Sequence, residues 1–218
     1  MVKIDSSWHR VADVGEMALT QIFRDMPQEH SRRCQVIDIG SGLKLDCNRG
    51  NRASDKNAWL KPYLKNVDYL VLDYVSTYKP DILGDIQDLP LADNSVDAII
   101  CLSILEHVEN PIKAAAEIYR VLQPGGRCYV HVPFLFYYHA EKGYYGDYWR
   151  FTLDTLQLLF KGFSTVYYQQ SRGAIESWFH LLPIGRKKIF KIIGRSLDRI
   201  FKKQFSPQTS SYSLLIIK

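Results

Sequence analysis

Apolar residues change their period several times along this chain, and each change marks an element. From Trp8 to Met26 they recur at Val11, Val14, Met17, Ala18, Leu19, Ile22 and Phe23, spacing that predicts an amphipathic helix over about 8–26. Ser6 or Ser7 would cap it, and Pro27 follows its end. Cys34–Ile39 is a short β-branched run stopped by Gly40-Ser41-Gly42, and reads as a buried strand entering a glycine turn. Further strands are expected at Tyr69–Leu72, Asp81–Leu83, Val96–Leu102 and Arg127–Val132. Helices are expected toward Ala58–Leu64 and across Asn110–Leu122, the second ended by Gln123-Pro124-Gly125-Gly126. After Pro133 the pattern yields to an aromatic loop that runs through Arg150. A helix at Leu153–Lys161, a strand at Ser164–Gln169, a helical insertion over about 184–205 and a last strand at Ser211–Ile217 complete the chain. Strands alternating with helices predict one α/β domain over 1–218, built on a doubly wound, mostly parallel sheet.

The charge is unevenly placed. Residues 184–205 hold eight cations (Arg186, Lys187, Lys188, Lys191, Arg195, Arg199, Lys202 and Lys203) against the single acid Asp198, a surplus of seven. The whole chain carries only +5, so the rest sums to −2, and nucleic-acid binding is not the reading of its basic pI. Within the insertion Ile189, Ile193, Leu197, Ile200 and Phe201 recur every three or four residues. Such a helix either lies on an anionic membrane surface or packs on its own domain with a solvated charged face.

The four cysteines, Cys34, Cys47, Cys101 and Cys128, are far apart and form no CxxC pair, so neither a zinc site nor a disulfide framework is indicated. Cys101 and Cys128 fall in apolar runs and read as core thiols. The N-terminal residues lack an apolar signal core, and no apolar run approaches the length of a membrane span. The expected location is cytoplasmic, with a peripheral membrane contact open through the basic insertion.

In an open parallel sheet, ligands sit beyond the carboxyl ends of the strands where strand order reverses. Three features converge there. Asp38-Ile39-Gly40-Ser41-Gly42 turns through glycines that let a ligand approach the backbone. Asp73, followed by Tyr74, ends the next strand, where a carboxylate can accept from two ribose hydroxyls. Gly84-Asp85-Ile86 offers a carboxylate for an exocyclic adenine amine and an apolar face for the ring. The GxG is not continued to a third glycine, since Leu43, Lys44 and Leu45 follow, which argues against the pyrophosphate of NAD.

The set VIDIGSG, LVLD, GDIQDLPLADNSVDAIICLSILEHV and RVLQPGG resembles the class I S-adenosylmethionine-dependent methyltransferase family over about residues 34–132. The resemblance implies a Rossmann-like, seven-stranded sheet whose last strand, SYSLLII, is antiparallel. It implies S-adenosyl-L-methionine as cofactor, held by Asp38, Gly40, Ser41, Gly42, Asp73, Tyr74, Asp85, Ile86, Ser103 and His107. Lys44 stands where the family has its third glycine, and the polar loop LKLDCNRGNRAS departs from the usual pattern.

Methyl transfer from a sulfonium needs alignment above all, and a base only where the acceptor must lose a proton. The candidates lie in the aromatic loop: His139 as base, Asp147 to orient it, and Arg150 to bind an anionic group. The alternative is that Asp147 and Arg150 pair with each other and His139 only packs. The VPF, His and DYWRFT arrangement resembles a methyltransferase subgroup associated with glycan and lipopolysaccharide biosynthesis, which implies a sugar- or lipid-linked acceptor. The main reading is therefore methyl transfer to an oxygen or nitrogen of a small-molecule, sugar or lipid-linked acceptor, and the alternative is a non-catalytic cofactor-binding or membrane-recruitment module. His9, His30 and His180 read as surface or packing residues, and His131 as a hydrogen-bonded strand residue.

Overall fold

The computed structural model describes residues 6–29, 32–45, 55–183, 185 and 187–218. His30, Cys47, Ile184, Arg186 and most of the loop LKLDCNRGNRAS lie outside the described residues. Eight strands form one sheet: β1 (Trp8–Arg10), β2 (Cys34–Ile39), β3 (Val67–Asp73), β4 (Ile82–Leu83), β5 (Val96–Leu102), β6 (Leu122–Pro133), β7 (Thr165–Gln170) and β8 (Ser211–Ile217). Their order is β1-β7-β8-β6-β5-β2-β3-β4. All pairings are parallel except those of β8, which runs antiparallel to β6 and to β7. The expected antiparallel last strand is therefore present, and the sheet gains an eighth strand at its edge.

That extra strand comes from residues expected to be helical. Trp8 is buried, its ring 6.0 Å from that of Tyr168, and β1 pairs with β7 from Trp8 opposite Val166. The helix α1 (Val14–Thr20) starts only where Asp13 accepts the Glu16 amide, so Asp13 and neither serine is its cap. A π-helical turn at Gln21–Asp25 follows, then α2 (Met26–Glu29) with Pro27 inside it. The wider turn suits a residue that has no N–H to give.

Elsewhere the expected elements hold with shifted bounds. A 3₁₀ segment covers Asp55–Asn66 in place of the shorter helix toward Ala58–Leu64. The helix α3 (Pro111–Val121) is capped by Asn110, whose side chain accepts from the Lys113 amide, with proline at its start. Next come α4 (Leu153–Leu159), capped by Thr152, and α5 (Ala174–Leu181). The basic insertion forms α6 (Lys188–Ile200). The core lies on both faces of β2, β5 and β6, where Ile37, Ile99, Ile100, Cys128 and Val130 are fully buried. Burial pushes the Cys101 and Cys128 thiols above their ordinary range, as expected of core thiols.

The contact between α5 and α6 joins a ring pair, Phe179 and Phe190 at 5.7 Å, to a buried carboxylate. Asp198 of α6 is buried, and its two carboxylate oxygens accept the amides of Ile175 and Glu176 at 2.9 and 3.0 Å, capping α5 from outside. Gly173 leaves room for that carboxylate, since a Cβ there would lie 2.3 Å from it. Asp198→Ala should lower stability by about 1–2 kcal/mol through the two lost amide contacts. Denaturant unfolding of wild type and variant measures this, and an unchanged midpoint would contradict the capping.

Candidate active site

The chain runs from β2 outward through β3 to β4, then returns to the other side of β2 with β5 and continues to β6. Strand order reverses between β2 and β5, and their carboxyl ends are level, with Ile39 opposite Cys101. Ile39 also faces Leu72, Asp73 faces Leu83, and Leu102 faces His131. Gly40, Asp73, Gly84-Asp85 and Ser103 therefore line one edge of the sheet, at the point where the topology favours a ligand.

Asp38 shapes that edge from below. It is fully buried, and its carboxylate accepts the Gly42 amide at 2.9 Å, the Leu43 amide at 3.0 Å and the Tyr69 hydroxyl at 2.6 Å. Its role is to hold the turn. Gly40 adopts φ +72°, and a Cβ there would come 2.3 Å from the end of Ile104. Ser41 and Ser103 take positive φ without being glycine, at 54° and 57°, a local strain on both sides of the crevice. Asp73 is half-buried; burial raises its carboxyl pKa, and Oδ1 accepts the Val75 amide at 2.9 Å. Asp85 accepts the Gln87 amide at 2.8 Å, Ile86 is buried, and Tyr74 is exposed. A surface cavity of about 530 Å³ lies beside Asp85, lined in part by Leu83, Gly84 and Lys113.

The second half of the site is built by the aromatic loop closing on the 3₁₀ turn Leu105–His107. The amides of Tyr148 and Trp149 donate to the Glu106 carbonyl, the Trp149 indole donates to the Val108 carbonyl, and His107 Nδ1 lies 2.6 Å from the Gly146 carbonyl. These contacts bring His107 and His139 together, with ring centres 4.9 Å apart. Asp147 serves both readings of the sequence. Its oxygens take the Arg150 guanidinium at 2.6 and 2.8 Å, and Oδ2 also takes the His139 amide and lies 3.2 Å from His139 Nδ1. The paired guanidinium holds the Asp147 carboxyl down to about 2.

Arg150 donates all five of its N–H groups inside the loop. Besides Asp147, they reach the carbonyls of Phe136, Trp149 and Tyr137. It braces the loop and has nothing left for an anion.

His139 Nδ1 faces two acceptors, Asp147 Oδ2 and the Tyr137 carbonyl at 3.1 Å, so the ring proton belongs on Nδ1. Nε2 lies 3.7 Å from Oε1 of Glu106, an ion-pair separation and not a hydrogen bond. Glu106 is fully buried, and among the described residues neither of its carboxylate oxygens has a hydrogen-bond partner. Glu106, foremost, raises the His139 pKa, with Tyr137 and Asp147 adding to it.

Glu106 and His139 share a cavity of about 250 Å³ with Ser103, His131, Arg172 and Arg195. Glu106, His107 and His139 present donor atoms within 4.8 Å of one another, the one such group of His, Cys, Asp and Glu among the described residues. The guanidiniums of Arg172 and Arg195, each also near the buried Glu176 carboxylate at 3.6 and 2.9 Å, oppose a metal ion on the same cavity. His131, expected as a hydrogen-bonded strand residue, does bond Ser213, at 2.9 Å, and it also lines the cavity with Glu106. Arg172 and Arg195 were missed altogether, since nothing local in the sequence ties them to residues some 70–90 positions earlier.

Comparison with known proteins bears on the crevice. Residues 53–130 match the family model of a methyltransferase domain. A probable S-adenosylmethionine-dependent methyltransferase of Mycolicibacterium smegmatis is 38% identical over 111 residues, 49% of this chain and 42% of that protein. Over the matched segment and in its fold, the chain resembles the class I S-adenosylmethionine-dependent methyltransferases. An uncharacterized methyltransferase of Mycobacterium tuberculosis is 36% identical over 94 residues, 43% of this chain and 37% of that protein. The matches thus span less than half the length of these curated relatives. A solved S-adenosylmethionine-dependent methyltransferase from Archaeoglobus fulgidus shares the fold with TM-score 0.57 at 16% identity, over 93% of this chain and 94% of the other.

The cofactor of this methyltransferase fold is S-adenosylmethionine, and the crevice fits it. Gly40 takes the positive φ of the turn and leaves room for the Ile104 side chain packed over it. Asp73 is a partly desolvated carboxylate that would meet the ribose, and Asp85 with the buried Ile86 would meet the adenine. When bound, the cofactor supplies an electrophilic methyl group on a sulfonium. No helix of the described residues is long and apolar enough to cross a membrane.

Proposed function

We propose that the protein transfers a methyl group from S-adenosylmethionine to an oxygen or nitrogen of a small-molecule, sugar or lipid-linked acceptor, with His139 taking the acceptor's proton. The observation that carries this reading is the setting of His139. Asp147 fixes the ring with its proton on Nδ1, and Nε2 lies toward the cavity beside the unpartnered Glu106 carboxylate. A proton arriving on Nε2 creates an imidazolium between two carboxylates, which favours that state. The loop otherwise works by position: Tyr145 tilts against His107 with ring centres 4.4 Å apart, and Tyr144 stacks on Tyr78 at 5.6 Å.

Release of S-adenosylhomocysteine in the presence of hydroxyl and amine acceptors, glycolipids included, tests the proposal. Turnover with an acceptor supports it. Tight cofactor binding with no turnover on any acceptor would favour a binding module that has kept the fold without the chemistry.

A further inference from the structure

The basic insertion does not sit as an amphipathic helix ordinarily sits. It packs on the domain through its two buried residues, Gly194 and Asp198, and through Phe190, whose ring lies 5.7 Å from that of Phe179 in α5. A Cβ on Gly194 would lie 2.7 Å from the Glu176 backbone, and Asp198 caps α5. At 100° per residue these two positions occupy one flank of α6. Ile189, Ile193 and Ile200 fall together on a different face, roughly 100° or more around the helix. That face is not packed: Ile189 is 54% exposed, Ile193 39% and Ile200 69%, and Ile192 beside them is exposed as well. Trp178 of α5 is likewise exposed, at 59%.

Cations border it. Lys187, Lys188, Arg199, Lys202 and Lys203 are exposed, and none makes an ion pair among the described residues; Arg195 alone pairs, with Glu176 at 2.9 Å. A row of isoleucines edged by unpaired cations is complementary to one kind of partner. Nucleic acid uses the cations and leaves the isoleucines in water. A second copy of this chain brings the same positive charges against themselves. A bilayer bearing anionic lipids takes the apolar side chains below its headgroups and sets the cations against phosphate.

We propose that the isoleucine face of α6, with its bordering cations, docks this protein on the surface of an anionic lipid bilayer. Arg195 belongs to the same helix and lines the cavity that holds Glu106 and His139, so docking brings that cavity to the headgroup layer. Methyl transfer is not required for the inference, and lipid binding is read without turnover, so either claim can fail alone.

The test is co-sedimentation of the full chain with vesicles of phosphatidylcholine, with and without about 30% phosphatidylglycerol. Binding should require the anionic lipid and weaken as salt rises. Ile193→Glu with Ile200→Glu, on exposed positions that leave the Asp198 cap intact, should lower binding about tenfold or more. Lys188→Ser with Arg199→Ser should do the same while leaving the melting curve unchanged. Equal binding to both vesicles, wild-type binding by the glutamate variant, or self-association abolished by the same substitutions would each overturn the proposal. Preference for duplex DNA over the anionic vesicles would overturn it too.

Discussion

Asp73→Ala is expected to weaken binding of S-adenosylmethionine and S-adenosylhomocysteine about tenfold to a hundredfold, while the melting temperature hardly moves. The size follows from hydrogen bonds to a charged acceptor, each contributing about 1.5–3 kcal/mol. The contrast with stability follows from the direction of the Asp73 shift. Burial raises its carboxyl pKa above the unfolded value, so the native state holds that proton more tightly than the unfolded chain does. Above the raised pKa the ionised carboxylate opposes folding, and its removal relieves that cost while losing the contact to the Val75 amide. The two effects oppose each other, and the ligand's hydroxyls compensate the charge only when bound. Calorimetric titration of wild type and variant, with NAD as a control, measures the affinities. An Asp73→Ala protein that binds as wild type does would remove this residue from the ribose position.

The second large effect is expected at His139. His139→Ala should lower kcat about a hundredfold to a thousandfold for an acceptor that must lose a proton, with cofactor affinity retained. The pH profile separates a proton acceptor from a packing residue. Glu106 before all other groups raises the His139 pKa, so the neutral, proton-accepting ring is present only above that raised value. Activity should therefore climb with pH through a midpoint above 6.5, the unperturbed value for histidine. Glu106→Gln removes the main cause, and the midpoint should move down. The stability linkage has the matching sign: the carboxylates favour the protonated ring, a contribution complete below 6.5 and lost as pH rises through the folded pKa. A profile that is flat from pH 6 to 9 in wild type, or one that Glu106→Gln does not shift, would assign His139 a structural role.

Much of this was legible in the chain because it is written locally. Val96–Leu102 and Ser211–Ile217 coincide with β5 and β8, since a short apolar run between turn signals leaves few other choices. The crevice was legible for the same reason: Gly40, Asp73 and Asp85 are each attached to the end of a strand. Trp8–Arg10 was not legible as a strand. Its apolar residues continue the helical spacing of α1, and only its partner β7, far along the chain, makes it extended. The acceptor side depends on convergence of this kind too. Arg150 carried the right chemistry for an anion, but its neighbourhood consumes every donor, and the cations on the cavity come from Arg172 and from Arg195 of α6. The insertion showed its amphipathic pattern plainly, whereas its seating is set by Gly194 and Asp198, which break that pattern.

The position of β8 bears on how the molecule assembles. It is the last of the eight strands in sequence, yet it lies inside the sheet, hydrogen-bonded to β6 on one side and β7 on the other. The edge pair β1-β7 has no route into the sheet except through it. The pairings from β2 to β6 are comparatively local, while β1 must wait for β7 and β7 for β8, so the earliest strand made is among the last to find its place. Pairing of such high sequence separation slows folding. It also makes the final strand a clasp: mutations in β8 should slow closure of the sheet more than equally buried mutations in β2 or β5.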